Sequence, residues 1–171
     1  MDLEFGQLKK ADYKKAIQFA IEGMHFNWYL DNKLLQNFLY LEMSRATQAI
    51  AAYKGDELAG VLLCEMKGEA KKDHSIWKSA YVKIFDFLQN LFVKNGVAPY
   101  DEANRGMLVE YCKHNSPDGE IIFLAANPNI KAKGIGSMLL RELEEREKGK
   151  KVFLYTDSAC TYQFYEHRGF E

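Results

Sequence analysis

Gly119–Leu140 reads GEIIFLAANPNIKAKGIGSMLL. It holds a strand, a short basic loop with paired glycines and a helix in immediate succession. Glu120 to Ala126 is an almost continuous apolar run, as expected of a strand covered on both faces. Asn127-Pro128-Asn129 is turn chemistry that ends it. Lys131-Ala132-Lys133-Gly134-Ile135-Gly136 then leads into a helix expected from Ser137. The first-turn amides of a helix have no acceptor within the helix, and the macrodipole is positive there. Glycines let an anion approach the backbone and two lysines add charge, so the segment suits a phosphate or pyrophosphate.

Two common phosphate-binding patterns do not fit. The nucleoside-triphosphatase string G-x-x-x-x-G-K-[ST] is absent. A dinucleotide fold needs G-x-G-x-x-G after an early strand, whereas Gly134-Ile135-Gly136 stands alone in the last third of the chain. The spacing instead resembles motif A of the GNAT acetyltransferase superfamily, V-x-P-x-x-[QR]-x-x-G-x-[GA]. Ala126, Pro128, Lys131, Gly134 and Gly136 fall on it in register. Ala126 replaces the usual valine. Lys131 replaces glutamine or arginine, which keeps a charge but loses the guanidinium fork.

A second stretch extends the resemblance. Val152 to Thr156 is a short apolar strand, and Asp157 to Phe170 follows as DSACTYQFYEHRGF. This is similar to the family's motif B, a strand and then a helix ending Y-x-x-x-G-F. Tyr165, Gly169 and Phe170 occupy the pattern, and Ser158 stands where the family commonly has asparagine.

Composition narrows the class. The chain has 171 residues, enough for one domain with a real core, and a formal net charge of -1. It therefore carries no electrostatic footprint for nucleic acid or an anionic membrane. Cys64, Cys112 and Cys160 are widely spaced, and neither a C-x-x-C nor a Cys/His pattern suggests a metal. Free thiols and an N-terminus unlike a signal peptide point to the cytoplasm.

Around the two motifs the chain reads as α/β. Leu3, Phe5 and Leu8 suggest a first strand, and Asp12 a cap for a helix through about Met24 with Ala16, Ile17, Ala20 and Ile21 on its apolar face. Asp31 or Asn32 suits the cap of a second helix carrying Leu34, Leu35, Phe38, Leu39 and Met43. Thr47–Tyr53 and Glu57–Glu65 flank Lys54-Gly55-Asp56 as a hairpin. The expected fold is a GNAT-like central mixed sheet flanked by helices, in one domain over 1–171. Residues 66–118 form a helical insertion between the third and fourth strands. One helix is expected around Ile76–Phe92 and another from about Tyr100 to Cys112, with Met107, Leu108 and Tyr111 on one side. The insertion packs on the domain, covers the acceptor site as a lid, or makes a homodimer contact. The chain stops at Glu171, where the resemblance implies two more strands, so the C-terminal end looks truncated.

The resemblance implies acetyl-CoA as cosubstrate, no metal, and an amine of a small molecule or peptide as acceptor. It assigns the pyrophosphate to the backbone of Lys133, Gly134, Ile135, Gly136 and Ser137, with Lys131 adding a cation. The pantetheine arm would lie along Leu124, Ala125 and Ala126, where an N–H polarises the thioester carbonyl. Glu120 is the candidate base, six residues before Ala126, where the histone-acetylating branch carries its glutamate. An ordinary glutamate near 4.3 accepts poorly from an ammonium near 10.4, so desolvation or a water relay is required. Tyr165 is the candidate acid beside the departing sulfur. Met24–Leu30, MHFNWYL, occupies a pocket-forming position in the family. The alternative is a non-catalytic acyl-CoA-binding or sensor module.

Overall fold

The computed structural model describes residues 3–24, 42–71, 98–156 and 162–171. The second expected helix before Met43, the aromatic stretch after Met24, the helix around Ile76–Phe92, and Ser158 and Cys160 lie outside the described residues. So do the side chains of Ala20 and Ile21.

Five strands form one mixed sheet in the order β1-β2-β3-β4-β5. β1 is Glu4–Gly6, β2 Gln48–Lys54, β3 Glu57–Met66, β4 Gly119–Ala126 and β5 Val152–Phe153. The first four are antiparallel, and β5 runs parallel to β4. The helices are α1 (Tyr13–Met24), α2 (Ala98–Cys112), α3 (Ile135–Arg146) and the short α4 (Gln163–Glu166), with a further helical turn at 42–45. The β2–β3 hairpin turns at Gly55, whose φ of 60° favours glycine. Asp12 stands just before α1, and its carboxylate accepts the Tyr53 hydroxyl at 3.2 Å and Lys15 Nζ at 3.1 Å.

Alternation along β2 and β3 feeds two cores. Ala49, Ala51, Val61 and Leu63 pack with Ile17 and Phe19 of α1, while Ile50, Ala52, Leu62 and Cys64 pack with Ile135, Leu139 and Leu143 of α3. Each large side chain among these contributes roughly 1.5–3 kcal/mol by leaving water. Gly60 permits the close seat of α3: a β-carbon there would meet Ile135 Cγ2 at 2.8 Å and Leu139 Cδ1 at 3.0 Å.

β4 departs from simple alternation. Leu63 pairs with Phe123 and Cys64 with Ile121, which leaves Ile122 as an extra residue on β4. Such a bulge shifts the face of every residue on one side of it. Ile121 joins the α3 core, whereas Ile122, Phe123 and Ala125 join the α1 core. Glu120, next to Ile121, is thereby turned to the α1 side.

Two expectations need correction. The helix after the glycines begins at Ile135, not Ser137, because Gly134 already serves as its N-cap. The fifth strand is paired only over Val152–Phe153 rather than through Thr156, because its ladder with β4 ends there.

Candidate active site

The loop after β4 is held by Asn127, which is buried. Its amide donates to Leu58 O at 3.1 Å, its backbone N–H to Ala59 O at 2.8 Å, and its Oδ1 accepts Asn129 N–H at 2.9 Å. This ties the loop to β3 and folds the Pro128-Asn129 turn back on itself. Ile130 is buried in the α3 core and anchors the far side of the turn. Lys131 and Lys133 remain exposed.

Gly134 caps α3 with φ 85° and ψ 14°, a left-handed conformation, and no side chain caps the helix. The helix ladder starts with Met138 N–H to Gly134 O at 3.0 Å, so the first-turn amides stay available. The first turn has no acidic residue, and a β-carbon on Gly134 would meet nothing within 4 Å. The approach to these amides is open.

Gly136 also has a packing contact. A β-carbon there would meet Phe164 Cζ at 2.9 Å, so its bare backbone is the seat of the α4 ring. The same docking brings in Arg168. Its guanidinium lies 3.7 Å over the Phe164 ring, donates from Nε to Ser137 Oγ at 3.0 Å, and reaches the same oxygen from Nη2. Arg168 thus places a cation at the positive end of α3, which the exposed Lys131 and Lys133 precede in the loop, an arrangement an anion would offset. Arg168 sits between the fixed letters of Y-x-x-x-G-F, where only the spacing could have drawn notice to it.

β4 and β5 pair only at Gly119–Val152 and Glu120–Phe153. Further along, Leu124, Ala125 and Ala126 pair with Leu62, Val61 and Gly60 on the β3 side. Among the described residues no strand pairs with their other edge, beyond the end of the β5 ladder. Backbone donors and acceptors in such a gap suit an extended, amide-bearing chain.

Glu120 sits at the closed end of this gap. Arg45 Nη2 donates to its Oε2 at 2.7 Å, while Arg45 Nε donates to Glu65 Oε2 at 3.0 Å. Arg45 Nη1 is 3.5 Å from Glu42, and Lys71 stands 3.7 Å from Glu65. Burial works against the Arg45 charge, but Glu42, Glu120 and Glu65 outweigh it and hold the guanidinium above the usual arginine range. Tyr155, beyond β5, has its hydroxyl pushed above the usual tyrosine range, first by burial and then by the charge of Glu120.

Tyr165 is half-buried, with edge-on contacts to Phe164 and Phe170 at 5.0 and 5.7 Å between ring centres. It lines a cleft of about 700 Å³ between α2, β5 and α4, together with Met107, Tyr111, Phe153 and Tyr155. A smaller cleft of about 350 Å³ runs along α3 past Ser137 and Arg168. Glu120 lines neither; its ladder partner Phe153, and Tyr155 through its charge, relate it to the larger cleft. His114 and His167 are exposed, and no group of metal-binding side chains occurs among the described residues. Among those residues no helix is long and apolar enough to cross a membrane.

The sequence profile of the acetyltransferase (GNAT) family matches residues 15–170. No curated protein matches the sequence. Among solved structures, PH1933 from Pyrococcus horikoshii OT3 aligns with a TM-score of 0.61 at 15% identity, over 99% of this chain and 89% of that one. PaiA N-acetyltransferase from Thermoplasma acidophilum, in complex with coenzyme A, aligns at 0.54 and 17%, over 100% and 91%. A GNAT family acetyltransferase from Brucella melitensis, in complex with acetyl-CoA, aligns at 0.50 and 14%, over 99% and 83%. At these identities the likeness is one of fold.

Proposed function

Since the chain belongs to the acetyltransferase (GNAT) family, we propose that it moves an acetyl group from acetyl-CoA to a primary amine of a small molecule or peptide. The observation that carries this reading is the end of the β4–β5 ladder at Glu120–Phe153, one strand away from an uncapped helix N-terminus. An extended pantetheine arm fits the first feature and its pyrophosphate the second. Lys131, Lys133 and Arg168 add charge around the amides of Ile135, Gly136 and Ser137.

The amine nitrogen attacks the thioester carbonyl carbon, and the oxyanion forms against a backbone N–H of Leu124–Ala126. Its C–S bond then breaks, the electron pair leaves on sulfur, and an amide and coenzyme A result. The ammonium proton passes to Glu120 through water, and the Tyr165 hydroxyl donates to the departing sulfur. No acyl-enzyme is needed, because holding both substrates together supplies about 7–11 kcal/mol at best. α2 walls the cleft that Tyr165 lines, which suits a role in enclosing the acceptor.

The test is thiol release from acetyl-CoA across a panel of primary amines, paired with calorimetry of acetyl-CoA. Tyr165→Phe should lower turnover and leave acetyl-CoA affinity nearly unchanged. Lost affinity with intact turnover at saturation would overturn the assignment. A second reading, acyl-CoA binding without transfer, draws on the engagement of Glu120 by Arg45. Binding with no thiol release from any amine would favour it.

A further inference from the structure

Glu65 and Glu120 are directly opposite each other in the β3–β4 ladder. Like charges so placed on one face of a sheet repel and swing apart unless something joins them. Arg45 joins them, from outside both strands. It meets Glu120 through Nη2, Glu65 through Nε and Glu42 through Nη1. Three guanidinium nitrogens thus serve three carboxylates from separate parts of the chain, which a lysine ammonium does not reproduce.

The backbone that presents Arg45 is itself pinned. Ala46 N–H donates to Glu42 O at 3.0 Å and Thr47 N–H to Cys64 O at 3.0 Å. The Thr47 hydroxyl donates to Cys64 O at 3.3 Å and accepts Met66 N–H at 2.8 Å. Thr47 is buried, so the turn bearing Arg45 is fixed to the β3 segment that faces Glu120.

We infer that Arg45 is a positioning residue for acetyl transfer, holding Glu120 by Oε2 so that Oε1 is presented to the acceptor's proton. This rests on the assignment of Glu120 as base. Arg45 touches neither substrate in this scheme; it fixes the direction of a carboxylate that Glu65 would otherwise deflect.

A double-mutant cycle on the whole chain tests it, read by steady-state thiol release. Arg45→Gln should lower kcat about 10- to 100-fold while KM for acetyl-CoA stays within about twofold. Arg45→Lys should recover part of the loss, because it still offers one cation to Glu120. In a Glu120→Gln background, Arg45→Gln should cost less than about twofold more. Lys71→Gln, which alters only a partner of Glu65, should leave kcat unchanged. Full additivity of Arg45→Gln and Glu120→Gln would overturn the inference while leaving Glu120 as base. So would a rise in KM for acetyl-CoA with kcat intact. An unchanged rate in Glu120→Gln would remove the base assignment and the inference with it, but not the acetyl-CoA site. Should Arg45→Gln fail to fold, the same cycle is run with Arg45→Lys, whose smaller loss must likewise vanish in the Glu120→Gln background.

Discussion

The two ends of α3 are built on opposite plans. At the C-terminal end the chain supplies its own partners. Glu147 caps the last turn through its N–H to Leu143 O, and its buried carboxylate accepts Gln48 Nε2 and Lys150 Nζ, each at 2.7 Å. Lys150 Nζ also donates to Glu69 Oε1 at 2.7 Å, and Gly149, with φ 82°, turns the chain away. At the N-terminal end nothing acidic and no side-chain cap answers the helix, and Arg168 bonds Ser137 in its first turn instead. Both ends cost free energy if left unanswered. The contrast is between an end answered by side chains of the chain itself and an end that no side chain caps, where we propose the pyrophosphate binds.

Substitutions at the two ends should therefore separate binding from stability. The largest effect is expected from Gly134→Asp, which places a carboxylate at the open end. Acetyl-CoA affinity should fall about 100-fold, or ~2.7 kcal/mol, in calorimetry. The melting temperature should fall only by a few degrees, because aspartate is strained in the left-handed region but enters it more readily than most residues. A variant that melts early yet binds normally would break the division. At the closed end, Glu147→Ala should destabilise by about 1–3 kcal/mol in urea titration by removing the buried carboxylate that Gln48 and Lys150 both bond, leaving them Glu69 alone. Its acetyl-CoA affinity should match the parent; a joint loss of both would mean that the two ends are not independent.

Acid sharpens the same contrast. Lys150, helped by Gln48, holds the Glu69 carboxyl below the usual carboxylate range. Its folded value is depressed, so its stabilisation is complete above the unfolded value near 4.3 and fades as pH falls through the folded one. Melting curves of the parent should thus drop more steeply below about pH 4.5 than those of Glu69→Gln. Parallel curves would show that Glu69 carries none of the acid sensitivity. The smallest effect concerns Cys64. Burial, then the charges of Glu147 and Glu69, push its thiol up to about 12. Brief iodoacetamide treatment of the native protein should label exposed Cys112 and spare Cys64, as peptide mass spectrometry would report. Labelling of native Cys64 would show that this end opens.

What the sequence disclosed follows the same physical line. The strand, the Asn127-Pro128-Asn129 turn and the glycine-capped helix depend on neighbouring residues, so local chemistry is enough to read them. The six-residue interval from Glu120 to Ala126 also survives as spacing. Arg45 gives no such signal, because its meaning comes from Glu65 and Glu120, which lie far along the chain. Arg168 is in the same position relative to Ser137. Gly136 also leaves room for Phe164, which a β-carbon there would meet at 2.9 Å, a distance that no sequence window reports. The β4 bulge was hidden because Ile121, Ile122 and Phe123 are apolar whichever face they take.

That bulge gives Ile122 a significance its side chain does not have. It acts as a one-residue phase change in the strand, separating Glu120 from the rest of β4. Removing Ile122 would only straighten the ladder, with Glu120 still opposite Glu65; drawing Ile122 into the ladder opposite Cys64 would instead slide Glu120 opposite Met66 and send its carboxylate to the α3 side, away from Arg45. Neither a conservative substitution at 122 nor its deletion would change the address of Glu120, whereas closing the bulge with Ile122 retained would rewrite it. A place outside the ladder, more than a particular side chain, is what this position encodes.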